Sequence, residues 1–162
     1  MTQQEQIERV WEIADEISVC MVTTRAGNRM RSRPMHAFPD QDAGCFWFVT
    51  DIRGAKDEEI EAAPDVCLNF ADISDNTYLS VTGHAEIMRD PAKAEELWNA
   101  EAQVWWPNGP KDPVVRVLRV EPEQAEYWDT RGNSVTVAMK LLAARMAGTP
   151  PANFVSKKVS MR

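Results

Sequence analysis

Apolar and polar positions along this chain follow two different periods. Between residues 2 and about 17, Ile7, Val10, Trp11, Ala14 and Ile17 recur at helical spacing, which predicts a helix with one apolar stripe. Thr2 and Glu5 form a capping-box pattern at its start. From Ser18 the apolar residues are β-branched or aromatic and come in short runs bounded by turn residues, as strands require. Ser18–Thr24, Cys45–Thr50, Asp65–Phe70 and Thr77–Met88 read as strands, and Arg25 to Asn28 is a glycine-containing turn that sends Arg29–Phe38 back as the second arm of a hairpin. Pro34 removes a ladder donor from that arm, so the strand is expected to be at an edge, bulged or bent there. Pro39–Gly44 and Asp72–Asn76 read as turns, and Ala55–Ala63 as a short helix ending before Pro64. Gly83, inside the long fifth strand, suggests a bulge or a sharp bend of the kind that curls a sheet.

Asp90 and Pro91 mark the start of a helix expected to run to about Gln103, followed by Trp105, Trp106 and a loop through Pro107 and Pro110. Val114–Val120 and Glu126–Thr130 give a sixth and a seventh strand, joined through Glu121, Pro122 and Glu123. A last helix is expected over about 133–147, with Val135, Ala138, Met139, Leu142 and Met146 as its stripe and Gly148 to Pro151 as its stop. The basic tail to Arg162 has no pattern. Short turns between strands mean antiparallel pairing. The expected architecture is therefore one mainly β domain over residues 1–162, an antiparallel barrel of six to seven strands, closed or nearly so, with flanking helices.

Composition narrows the function classes. A net charge of −7 argues against nucleic acid as the main partner. No apolar run approaches the ~20 residues of a membrane span, and the N-terminus lacks the pattern of a signal peptide, so a cytoplasmic location is expected. Cys20, Cys45 and Cys67 are odd in number and far apart, which fits buried reduced thiols. His36 and His84 without CxxC or HExxH do not suggest a metal site. Against the acidic background, Arg29, Arg31 and Arg33 fall at every second position of one predicted strand and so share a face. Like charges this close need an offset: water, carboxylates or a bound anion.

The order of several segments carries a resemblance. Ser32–Met35 (SRPM), Trp47–Asp51 (WFVTD), a lysine at Lys56, Leu68–Asp72 (LNFAD), Val81–Glu86 (VTGHAE), the tryptophan-proline loop and Ala125–Asp129 (AEYWD) follow one another as in the FMN-binding split barrel of the pyridoxamine 5'-phosphate oxidase superfamily. The chain resembles the bacterial general stress protein branch in particular, over about Ser18 to Thr130. The resemblance implies that residues matching Arg33, Met35, Val49, Thr50 and Lys56 line a flavin. The chemistry of the residues fits. The phosphate of FMN wants cations and hydroxyls, for which Arg33, Lys56 and Thr50 are candidates, with the amides of the helix beginning near Ala55. The ring wants apolar walls and backbone donors, for which Pro34, Met35 and the strand at Phe48 and Val49 are candidates. Arg29 and Arg31, nearer the turn, are expected to form a solvated face.

The resemblance further implies a homodimer with flavin at the interface, with the loop at Trp106 and the strand at Trp128 near the partner's flavin. It also implies that Tyr78 and Ser80 lie on a strand reaching toward the ring. The expected function is an FMN-dependent oxidoreductase exchanging hydride at flavin N5 with an unidentified small molecule. A flavin-binding module without turnover, or a split barrel using F420 or haem, stays open as an alternative. The chain ends FVSKKVSMR, without the Arg-Leu-x-Pro motif of true pyridoxamine-phosphate oxidases, so oxidation of pyridoxamine phosphate itself is not expected. No general acid or base stands out; His36 is the titratable group nearest the proposed ring in sequence.

Overall fold

The fold was obtained as a computed structural model that describes residues 1–54, 56–129, 134–148 and 156–162, the side chains of 56, 134–138 and 140 excepted. In chain order the elements are α1 (Gln3–Ile17), β1 (Val19–Ala26), β2 (Arg29–His36), β3 (Phe38–Asp40), β4 (Cys45–Asp51), α2 (Lys56–Ala62), β5 (Asp65–Asp72), β6 (Thr77–Met88), α3 (Pro91–Glu96), α4 (Ala100–Trp105), β7 (Val115–Trp128), α5 (Ser134–Ala147) and β8 (Lys157–Ser160). The strands form one antiparallel sheet in the order β2-β1-β5-β6-β7-β4-β3, with β8 beside the second half of β7. The sheet curls so that its inner face encloses Val22, Phe46, Phe48, Leu68, Phe70, Leu79, Val81, Leu118 and Val120, all 2% exposed or less.

α1 closes over this interior. Its Val10, Ile13 and Ala14 are fully buried, and Trp11 stacks on Phe46 with centroids 4.6 Å apart. The expected capping box is present: Glu5 N–H donates to the Thr2 hydroxyl, and Thr2 N–H donates to the Glu5 carboxylate. At the β1–β2 hairpin Gly27 takes φ +64 in a two-residue turn, a conformation that costs other residues dearly.

The expected sixth and seventh strands are one strand. β7 runs unbroken from Val115 to Trp128, and Pro122 is accommodated by a bulge. Thr82 pairs with Gln124 and Gly83 with Pro122, so Glu123 is the extra residue. The bulge brings the chains so close that a Cβ on Gly83 would lie 2.4 Å from the Glu121 carbonyl oxygen. The sheet has eight strands because two short ones were not expected. β3 lies where the Pro39–Gly44 turn was read, and β8 lies in the unpatterned tail, where Val159 is the one core residue of a four-residue strand. The helix expected from Asp90 to Gln103 is two helices, because Asn99 caps a new start by accepting from Ala102 N–H. α5 is present, but Met139, Leu142 and Met146 of its expected stripe are exposed, at 60 to 83%.

The sheet opens at one place. β3 pairs with β4 only through Cys45, Phe46 and Trp47, and no ladder joins β2 to β4 among the described residues. Past Trp47, β4 therefore continues with one edge turned toward β2. On the outer side of this half of the sheet, Val49, Val115 and Val117 pack beneath α3 and the tryptophan loop.

Candidate functional site

The gap between β2 and β4 is a cavity of about 350 Å³, within the roughly 300–1,000 Å³ of small-molecule sites. β2 lines it with Arg33, Pro34, Met35 and His36, and β4 with Val49, Thr50 and Asp51. Phe38 of β3, Val19 of β1, and Asn99, Glu101, Ala102, Trp105 and Trp106 in and around α4 complete the wall. Pro34 belongs at this spot for the expected reason. β2 is an edge strand, so the missing N–H interrupts no second ladder.

Arg33 is held from behind. Its Nη1 donates to the Thr24 hydroxyl (2.9 Å) and its Nη2 to Glu59 Oε2 (3.0 Å). Thr24 in turn donates to the same Glu59 oxygen (2.7 Å), and Arg31 Nη1 donates to Glu59 Oε1 (2.8 Å). Thr24 is fully buried and the Glu59 side chain is 8% exposed. Burial pushes the Glu59 pKa up. The Thr24 hydroxyl and the Arg33 and Arg31 guanidiniums outweigh it, and the carboxyl sits below its ordinary value. Arg29 and Arg31 were expected to be solvated together. Arg29 is exposed, but Arg31 is not partnerless: it shares Glu59 with Arg33. The every-second-residue spacing does put both on one face, and the offset to their repulsion is a carboxylate from α2.

The other wall is fixed at the end of β4. Asp51 Oδ2 accepts from Trp106 Nε1 (2.7 Å) and from Arg53 Nη2 (2.6 Å), and Asp51 Oδ1 accepts from Arg53 N–H (2.8 Å). Partial burial raises the Asp51 pKa, but these donors together bring it below the ordinary value. Asp51 thus ties the tryptophan loop to the sheet, and Trp98 packs at an angle against Trp106, centroids 6.1 Å apart. At the mouth, Trp105 is 66% exposed, and His36 Nδ1 lies 3.6 Å from Glu101 Oε2 with its ring 4.6 Å from that of Phe38.

Of the residues singled out from the sequence, Arg33, Pro34, Met35, Val49 and Thr50 meet in this one cavity, and so does Trp106, which was expected beside the partner's flavin but lines the cavity of its own chain. Phe48 does not line it: its side chain is fully buried in the core, and its place in the site reading rested on backbone alone. Lys56 opens α2 as expected, but its side chain, like residue 55, lies outside the described part. Tyr78, Ser80 and Trp128 do not line the cavity either. They stand on the outer face of β6 and β7, where Tyr78 pairs with Trp128 and Ser80 with Glu126. Ser80 borders a separate, polar groove with Lys158 and Ser160 of β8.

Sequence reasoning did not single out Glu59, Thr24 or Glu101, and it named Asp51 only as the end of the WFVTD segment, with no role. Glu59 carried a faint signal, since it precedes the buried Ile60 on α2 and lies one turn from Lys56, but Asp57, Glu58 and Glu61 crowd the same helix. The thiols behave as expected where they are buried: burial pushes the Cys20 pKa up to about 12 and raises that of Cys45. Cys67 is only half-buried, on the outer face beside Asn69 and Ser80. Among the described residues no three histidine, cysteine or acidic side chains are placed to hold a metal ion, and no helix is long and apolar enough to cross a membrane.

Comparison with known proteins agrees with this architecture. The family model "Pyridoxamine 5'-phosphate oxidase like" matches residues 5–152. General stress protein 26 of Bacillus subtilis is 27% identical over 148 residues, which is 87% of this chain and all of the relative. A Jannaschia sp. CCS1 structure described as a general stress protein 26 superposes with a TM-score of 0.77 at 22% identity, covering 97% of this chain and 99% of its own. The general stress FMN/FAD binding protein of Xanthomonas citri gives a TM-score of 0.70 at 24% identity, covering 80% and 92%. The opening between β2 and β4 is thus the split of a split barrel, and the chain belongs to the pyridoxamine 5'-phosphate oxidase-like family, in its general stress protein branch.

Proposed function

We propose that this chain is an FMN-binding oxidoreductase whose flavin occupies the gap between β2 and β4. The observation that carries the reading is the meeting of a cation and apolar walls in that gap. Arg33 lines the cavity together with Pro34, Met35, Val49 and Trp106. A flat ring ending in a phosphate asks for that distribution. The flavin-binding character printed for the Xanthomonas citri relative points the same way.

In this reading each residue has a physical task. Arg33 offers charge-assisted hydrogen bonds to the phosphate. Thr50 lines the inner wall beside it. Pro34 keeps the β2 edge free of an N–H, so the ring can lie against a surface that makes no competing demand. Asp51 holds Trp106 in place, which limits water at the side of the ring. FMN supplies the hydride chemistry when bound, and the protein supplies orientation and electrostatics. The small-molecule substrate would enter past Trp105, where His36 and Glu101 form a pair within reach of a proton on it. Haem is less well matched, since His36 is engaged by Glu101 and Phe38 and His84 lies beside Asp65 away from the cavity.

The reading includes a homodimer with the cavity at the interface. It is supported by Val19 and Met21, exposed at 47% and 41% on the outer face of β1, next to the cavity wall. Tyr78, Ser80 and Trp128 stand on the outer sheet face, where a second copy would meet them.

The test is a visible spectrum of the purified protein with added FMN, then a nicotinamide nucleotide, then air. Bound flavin that is bleached and recovers supports an oxidoreductase. Flavin that binds but is never reduced makes the chain a binding module. Protein that takes up no FMN overturns the reading.

A further inference from the structure

Arg33 belongs to two groups of side chains at once. One face of it lines the cavity; the other is clasped by Thr24 and Glu59, neither of which touches the cavity. The guanidinium carries five N–H donors, and the clasp uses one on Nη1 and one on Nη2. Among the described residues the rest have no partner and stay available to a ligand.

We propose that Glu59 is the positioning residue for the phosphate end of the site: it fixes the Arg33 fork so that the remaining donors face a phosphate monoester. The proposal rests on the flavin reading above. Three features carry it. Glu59 sits behind the arginine rather than in the cavity, so it does not compete with an anion for space. Thr24 ties the same carboxylate oxygen and the same guanidinium together, which closes a three-membered network and leaves Arg33 one orientation. And one carboxylate serves two guanidiniums among the described residues, Arg31 and Arg33, so the network keeps a positive charge for a ligand. A guanidinium fixed before binding loses less freedom when the anion arrives.

The sign of one substitution separates positioning from simple charge. Glu59→Gln removes a negative charge close to where a dianion would bind. Coulomb attraction alone then predicts tighter FMN binding. Positioning predicts the opposite, because the amide cannot accept from Thr24 and both arginines at once. The expected result is FMN binding weakened about tenfold, with riboflavin, which has no phosphate, changed by less than about twofold. Thr24→Val, which keeps the shape and removes the hydroxyl, is expected to shift FMN in the same direction by about threefold, and it decides the matter if the Glu59 variant does not fold.

Fluorescence titration of wild type and both variants with FMN and with riboflavin reads all of this. FMN bound as tightly or more tightly by Glu59→Gln overturns the proposal. So does an equal loss for FMN and riboflavin, which marks Glu59 as a general structural residue. Wild-type protein that binds no FMN brings down the flavin reading and the proposal together, an outcome distinct from wild type binding FMN with unchanged variants.

Discussion

Arg9 and Arg33 are both guanidiniums held against carboxylates in a mostly buried setting, with 9% and 19% of their side chains exposed, but only Arg33 lines the cavity. Arg9 donates to Asp129 at 2.7 Å, and Glu12 and Glu16 of its own helix lie at 3.1 and 3.5 Å. Among the described residues three carboxylates thus meet this guanidinium, Asp129 largely buried and Glu12 and Glu16 exposed. At Arg33 the ratio is reversed. Two guanidiniums meet one carboxylate among the described residues, and the positive charge left over faces a cavity. The charge balance around an arginine, more than its burial, separates a fastener between α1 and the end of β7 from a site for an anion.

The comparison breaks most plainly at Arg9. Arg9→Ala removes the guanidinium from Asp129, a carboxylate 12% exposed, to which the Thr77 hydroxyl also donates (3.5 Å). Breaking a buried pair in this way is expected to cost about 3 kcal/mol of stability, with FMN affinity unchanged in the fraction that stays folded. Chemical denaturation and flavin titration of the same variant check both halves. An Arg9 variant that loses flavin as readily as it loses stability would erase the distinction.

Asp51 tests whether the second wall matters as the first does. Asp51→Ala removes the acceptor of Trp106 Nε1 and of Arg53. A loss of about 1 to 2 kcal/mol is expected from the lost acceptor, together with weaker FMN and riboflavin binding alike, since the proposed placement puts the loop on the ring side and not on the phosphate. A thermal melt and the two titrations read it.

The smallest effect concerns acid. The folded-state pKa of Glu59 is below its ordinary value, so the carboxylate contributes stability above the ordinary carboxylate range and loses it as pH falls through the lowered value. Asp51 acts in the same direction. Stability should therefore decline on acidification, and Glu59→Gln should flatten that decline in denaturation measured at a series of acidic pH values. A variant with the wild-type slope would mean that Glu59 is not ionised against the arginines.

Much of the fold was legible because periodic burial writes itself into the chain. α1 announced its buried stripe and its capping box, and β1, β4, β5 and β6 announced themselves through β-branched and aromatic runs. What escaped were elements whose reason lies elsewhere in space. β8 exists because Val159 fills a place beside Ala125 and Tyr127, and four residues are too few to show a period. β7 looked like two strands because Pro122 reads as a break, and only the bulge opposite Gly83 explains how one strand tolerates it. Arg33, Pro34, Met35, Val49 and Thr50, which line the one cavity, were singled out because family resemblance and the chemistry a flavin asks for pointed to the same positions. Glu59 was not, because four acids on a seven-residue helix look alike until the sheet selects one of them. Tyr78, Ser80 and Trp128 came from resemblance alone, and in one chain they stand on the outer face of the sheet.

The central claim is that Arg33, and not the arginine strand at large, holds the phosphate of a flavin. Titration of FMN into wild type, Arg33→Ala and Arg29→Ala tests it most directly. The account predicts FMN binding by the wild type, a loss of about tenfold or more for Arg33→Ala, and little change for Arg29→Ala, whose side chain is exposed near the turn. Equal losses for the two variants would contradict it, because the arginines would then act as a diffuse basic patch with no assigned place for the phosphate.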